Sequence, residues 1–172
     1  MIITLTGFMG VGKSTIANLL AKHLYCKLVD LDKYIENEQG MPVSEIFRNM
    51  GESHFRHLEE LSLKKIINEN AEKVLVISLG GGTLISGVNQ SIIKQQTKCI
   101  YLKASIQLLA ERLAEHRGKR PVVDNIDNLN IQEEIAPLFE KRKTGYENAA
   151  SLIIDTDGKS IKTILIEIIN KI

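Results

Sequence analysis

The 172-residue chain reads as an α/β protein: a parallel sheet covered by helices on both faces. Three observations point there. Apolar, β-rich segments alternate with helical patterns along the chain. One of them, Val74-Leu75-Val76-Ile77-Ser78, is continuously apolar, as a strand buried on both faces requires. And residues 7–14, Gly-Phe-Met-Gly-Val-Gly-Lys-Ser, form the phosphate-binding loop G-x-x-x-x-G-K-[ST] between a strand pattern and a helix pattern.

The elements follow in order. Ile2-Ile3-Thr4-Leu5-Thr6 is the first strand. Thr15 to Leu24 is the first helix, with Ile16, Leu19, Leu20 and Leu24 at helical spacing. Between them the glycines let backbone N–H groups turn inward around a polyphosphate, and the helix N-terminus adds its positive dipole end. Gly10, Val11, Gly12, Lys13, Ser14 and Thr15 are therefore the candidate ATP contacts. Lys13 can reach the β- and γ-phosphates, and the Ser14 hydroxyl can ligate Mg²⁺. Lys27-Leu28-Val29-Asp30 is the second strand. Pro42 suits the first turn of a helix carrying Val43, Ile46 and Phe47, which Gly51 ends. A further helical pattern runs through Phe55, Leu58, Leu61, Leu63 and Ile66. After the third strand at 74–78 come Cys99-Ile100-Tyr101-Leu102 and Leu152-Ile153-Ile154. A last helix bears the stripe Ile161, Ile164, Leu165, Ile168 and Ile169.

The whole of 1–172 is expected to form one domain, with no repeat or linker. A net charge of +1 gives no footprint for nucleic acid or a membrane surface. No apolar run approaches about 18 residues, and the start of the chain shows no signal peptide. Cys26 and Cys99 form no redox or ligand motif, and His23, His54, His57 and His116 show no metal-ligand spacing. A monomeric, cytoplasmic protein is expected.

Ligands of such sheets bind beyond the carboxyl ends of the strands, so those ends carry the chemistry. Asp30 and Asp32 follow the second strand. On an extended backbone they point the same way, one toward a metal and the other toward a substrate hydroxyl. The alternative for Asp32 is a helix cap. Gly80-Gly81-Gly82 follow the third strand and suit a close approach to the backbone, or a tight turn. No acid stands there, which leaves Asp30 as the carboxylate for a metal.

Arg56, with Glu59 one helical turn on, and Arg142 are suited to a bidentate grip on a carboxylate. For either one the alternative is an ordinary solvated charge. Arg112, Arg117, Lys119 and Arg120, then Pro121 and a polar run, lack apolar periodicity. This segment, about 112–128, reads as a mobile lid that closes over ATP and excludes water.

Taken together, these motifs resemble the shikimate kinase family over nearly the whole length. The matching residues are Gly7 to Ser14, Asp30-x-Asp32, Phe55-Arg56-x-x-Glu59, Gly80-Gly81-Gly82, Arg120-Pro121 and Lys141-Arg142-x-x-x-Tyr146. Val122-Val123 stand where many members have two leucines. The resemblance implies a three-layer P-loop NTPase-type fold with a five-stranded parallel sheet and a lid. It implies transfer of the ATP γ-phosphate to the 3-hydroxyl of shikimate, a step toward chorismate and the aromatic amino acids, with Mg²⁺ held by Ser14 and Asp30. Asp32 then contacts the acceptor hydroxyls and is the candidate base. Arg56 and Arg142 grip the carboxylate, and Gly80, Gly81 and Gly82, Gly81 above all, offer backbone to the substrate. Lys13 and Arg120 stabilise the transferred phosphoryl group, and Arg112 lies near adenine. Another small-metabolite kinase, such as gluconate kinase, or a nucleotide-dependent switch would share the loop without needing the two arginines and three glycines together.

Overall fold

A computed structural model describes residues 1–115 and 130–172. Its elements are β1 (Ile2–Thr6), α1 (Lys13–His23), β2 (Lys27–Asp30), α2 (Leu31–Gln39), α3 (Val43–Glu69), β3 (Leu75–Ser78), α4 (Gly87–Gln96), β4 (Lys98–Lys103), α5 (Ile106–Glu115), α6 (Ile131–Ala149), β5 (Leu152–Asp155) and α7 (Ile161–Lys171). A short 3₁₀ turn, Thr83–Ile85, precedes α4.

The five strands form one parallel sheet in the order β2-β3-β1-β4-β5. At its centre, Thr4 pairs with Ile77 of β3 and Cys99 of β4. All residues of β1 and β3 are buried, so both faces of the sheet are covered there. α1 and α7 pack together in one layer, while α4 and α6 pack together in the other. Ile3, Leu5, Leu20, Ile77 and Ile100 are completely buried, each worth about 1.5–3 kcal/mol of transfer free energy.

The chain leaves β1 toward β2 on one side, and leaves β3 toward β4 on the other. The carboxyl ends of β1 and β3 are neighbours whose connections diverge, and this opens a crevice between them.

Glycine conformation sets two element boundaries. Gly12 sits in the left-handed region at φ 99°, which a side chain would strain, and turns the chain straight into α1 at Lys13 rather than Thr15. Gly51 (φ 83°, ψ 167°) breaks α3 as its sequence position predicts, but helix resumes at once without a loop. Leu61, expected on the buried face of that helix, is 50% exposed. The lid expectation also needs correction at its start. Residues 112–115 are the last turn of α5, anchored by buried Leu113. The rest of the expected lid, with Arg117, Lys119, Arg120 and Pro121, lies outside the described residues. Among the described residues no helix is long and apolar enough to cross a membrane.

Candidate active site

The phosphate loop begins where β1 ends. Gly10 (φ 87°) and Gly12 (φ 99°) hold positive φ, which aims successive N–H groups into the concave side of the loop. Lys13 curls back over the loop, its Nζ donating to the carbonyls of Gly7 (2.8 Å) and Phe8 (3.1 Å). No acidic residue occupies the first turn of α1, so nothing there opposes an anion.

Two clefts flank this loop. The first, of about 360 Å³, fills the crevice between β1 and β3. It gathers Lys13, Ser14, Asp30, Asp32, Arg56, Gly80, Gly81, Gly82 and Arg142, residues spread over most of the sequence. The second, of about 390 Å³, is lined by Gly10, Val11, Gly12, Thr15, Arg112, Glu115, Ile161 and Ile164. Arg112 is tied to the loop there, Nη1 donating to the Val11 carbonyl at 3.1 Å. The sequence-predicted residues thus divide between the two clefts, apart from Arg120, which lies outside the described residues.

The first cleft has two unlike walls. On the α3 wall, Arg56 bonds Glu59 (2.5 Å) and Glu52 (3.0 Å), with the Phe47 and Phe55 rings 5.8 and 5.5 Å from its guanidinium. Burial alone would lower the Arg56 pKa, but the two glutamates outweigh it and raise it. Glu59 is itself completely buried and also accepts from Thr83 Oγ1 at 2.6 Å. On the α6 wall, Arg142 stands over the Phe8 ring at 5.9 Å. Among the described residues it has no salt-bridge partner, and its buried Nε has no hydrogen-bond acceptor. Burial, and then the charge of Arg56, lower its pKa.

Between the walls runs the ledge Gly80-Gly81-Gly82. None of these glycines has positive φ; their lack of a side chain serves close approach. A Cβ on Gly80 would lie 2.6 Å from Asp32 Oδ1, and one on Gly82 would lie 2.5 Å from Arg56 Nη2. The outer glycines therefore admit two side chains of the protein itself.

The two aspartates depart from the expected extended arrangement. Asp30 is the N-cap of α2, accepting from Lys33 N at 3.2 Å, and Asp32 is in the first helical turn. Capping thus falls to Asp30, not Asp32, because β2 passes into helix immediately after it. Both still face the first cleft. Burial, with Glu59 and Asp30 adding negative charge, pushes the Asp32 carboxyl up to about 6, while Lys13 acts in the opposite direction.

Sequence reasoning assigned no role to four residues that help build the site. Phe47 and Phe55 look like ordinary core at helical spacing, yet they form the aromatic wall. Thr83, directly after the glycines, is the partner of Glu59. The Tyr146 hydroxyl donates to the Gly81 carbonyl at 2.5 Å, across 65 positions of sequence.

A phosphate loop at the divergence point of a parallel sheet, with a cleft lined by two arginines beside it, fits a small P-loop phosphotransferase. Residues 9–172 match the family described as shikimate kinase. The shikimate kinase of Thermus thermophilus is 36% identical over 170 residues, covering 99% of this chain and 89% of that protein. The structure of shikimate kinase from Bacteroides thetaiotaomicron superposes with a TM-score of 0.90 at 28% identity, covering 99% of this chain and 97% of that one. Shikimate kinase from Acinetobacter baumannii, solved in complex with shikimate, gives 0.86 at 27% identity over 99% and 91% of the two chains. The chain belongs to the shikimate kinase family, and so to a family of kinases.

Proposed function

We propose that this protein transfers the γ-phosphoryl group of ATP to the 3-hydroxyl of shikimate. The observation that carries the acceptor is Arg142. It is a half-buried guanidinium facing the cleft with no carboxylate partner among the described residues, close enough to Arg56 for the two charges to oppose each other. A carboxylate ligand would satisfy both. The shikimate bound in the Acinetobacter baumannii enzyme supplies such a group.

The chemistry follows from position. Phosphoryl transfer passes through a loose transition state, so alignment and charge neutralisation dominate over covalent work. Lys13 and the loop amides would hold the transferred group. Asp32, across the cleft and raised to about 6, would orient the attacking hydroxyl and take its proton. Ser14 and Asp30 offer hydroxyl and carboxylate oxygens on one cleft, hard donors that fit Mg²⁺. Among the described residues no cluster of three or more acidic, histidine or cysteine ligands exists, which suits an ion that takes its other ligands from phosphates and water. Such an ion would neutralise charge on the phosphates. Arg112, bonded to the loop in the second cleft, would meet the nucleotide outside its phosphates.

Steady-state ADP release with and without shikimate, and across a panel of hydroxylated acids including gluconate, tests the proposal. Turnover should depend on shikimate. Turnover with gluconate instead, or equal ATP hydrolysis without any acceptor, would replace this reading with another metabolite kinase or a nucleotide switch.

A further inference from the structure

Tyr146 reaches the glycine ledge from the opposite wall of the cleft. Its hydroxyl donates to the Gly81 carbonyl at 2.5 Å, and its side chain is 1% exposed. It lies one helical turn after Arg142 on α6, and its phenol also interacts with the Arg142 guanidinium. The ring packs against Tyr101 of β4, centroids 5.3 Å apart and planes tilted by 39°, which holds it in place. Directly before it, Gly145 lets α6 press against the Leu84 carbonyl in the turn that follows the ledge; any side chain there would collide with that carbonyl. α6 is thereby docked both on the glycine run and on the turn that follows it. Burial pushes the phenol well above its ordinary pKa, so it remains a donor at any working pH.

The consequence is geometric. The Gly81 carbonyl belongs to the peptide plane that leads into Gly82, and Gly82 is the residue against which the Arg56 guanidinium lies. Gly81 in turn faces Arg142 Nη1, 3.3 Å from where its Cβ would be. One hydroxyl therefore ties the wall that carries Arg142 to the surface on which Arg56 rests. We infer that Tyr146 is a positioning residue for the acceptor: through the Gly81 carbonyl it sets the spacing at which the two arginines meet one carboxylate. This rests on the acceptor reading above. Tyr146 itself need not touch the substrate.

The test is Tyr146→Phe, which removes one oxygen and leaves the ring stack. It leaves the Gly81 carbonyl without its donor, and the KM for shikimate should rise about tenfold. The KM for ATP and kcat at saturating shikimate should stay within about twofold. The control is Tyr101→Phe, which trims the other phenol of the stack. That hydroxyl is buried and has no hydrogen-bond partner among the described residues, so the KM for shikimate should not move. Replacing Tyr146 by 4-aminophenylalanine, which keeps an N–H donor at the same place, should bring KM back toward the parent value, and it supplies the test if Tyr146→Phe does not fold. Three results overturn the inference while leaving the acceptor reading intact: an unchanged KM for shikimate, an equal rise for both substrates, or equal shifts in the two Phe variants. Failure of the parent enzyme to turn over shikimate overturns the acceptor reading itself, and this inference with it.

Discussion

Arg56 and Arg142 face each other across one cleft, and the protein treats them in opposite ways. Arg56 is paired with two glutamates, flanked by two aromatic rings and seated on Gly82. Arg142 has an aromatic face beneath it and no carboxylate among the described residues. A charge already neutralised can shape a ligand site, but it has less attraction left to give. A partly desolvated charge without a counter-ion gains more when an anion arrives. On the acceptor reading proposed above, the α3 wall would supply geometry and the α6 wall binding energy. The phosphate loop stands apart from both, since it acts through backbone amides and one lysine.

That division can be broken in a graded way. Lys13→Met should have the largest effect, lowering kcat by about 10³-fold or more, because charge on the transferred group loses a preorganised partner. The fold should survive, since Lys13 is not part of the core; circular dichroism beside the assay would show it. A variant with near-normal turnover would end the assignment of donor and acceptor sides.

Asp32→Asn should lower kcat by about 10²-fold, the low end for a lost general base. In the parent, kcat/KM should fall as pH drops through about 6, where Asp32 gains its proton. The stability effect has the opposite sign. The Asp32 pKa is raised from 3.8 to about 6, so its ionised form is disfavoured in the fold. That penalty is complete above about pH 6 and absent below about pH 4. Asn removes it, and the variant should be more stable than the parent by up to ~3 kcal/mol at pH 8, but not at pH 4. Equal denaturation midpoints at pH 8 would show that Asp32 is not strained there.

Arg142→Ala should raise the KM for shikimate by about 10- to 150-fold with little change for ATP, the loss expected for one charged hydrogen-bonding partner. Arg56→Ala should cost less affinity, about tenfold, and should also lower stability, because buried Glu59 loses its cationic partner and keeps only the Thr83 hydroxyl among the described residues. Titration of both variants with shikimate, alongside chemical denaturation, sharpens the contrast. Equal affinity losses with no stability difference would erase it.

The smallest effect is expected at Arg112. Arg112→Ala should raise the KM for ATP about fivefold, the scale of one ordinary hydrogen bond, and leave shikimate untouched. An effect on shikimate would mean that the two clefts communicate.

The readable parts of this molecule are those whose cause is local. The phosphate loop is eight consecutive residues, and its strand and helix follow directly, so motif, boundary and role can be inferred together. The continuous apolar run of β3 is legible for the same reason, although Val74 stays outside the strand and is 43% exposed. Asp30 and Asp32 show where local reading stops. Both acids were visible, but whether extended chain or helix came first depended on how α2 packs after β2. The triple glycine reads in sequence as a place where a ligand nears the backbone, or as a tight turn; at its outer two positions the structure shows the protein's own side chains instead. That Asp32 and Arg56 are what approach it could not be read, because those side chains arrive from α2 and α3. Glu59 was visible one turn from Arg56, whereas its complete burial and its bond to Thr83 emerge only when α3 meets the turn after β3. The Tyr146–Gly81 bond belongs wholly to the tertiary level.

The glycine ledge also constrains how this enzyme can change over generations. Replacing Gly80 or Gly82 with any other residue adds a Cβ, which would fall within 2.6 Å of Asp32 or Arg56. At each position the neighbour is the far end of a flexible side chain, so a substitution would make Asp32 or Arg56 shift from its present place in the cleft. On the acceptor reading proposed above, a new acceptor is reached more directly by altering the walls, at Phe47, Arg56 or Arg142, than by displacing Asp32 or Arg56 from the ledge. A library aimed at new hydroxy acids would be best spent on those wall positions.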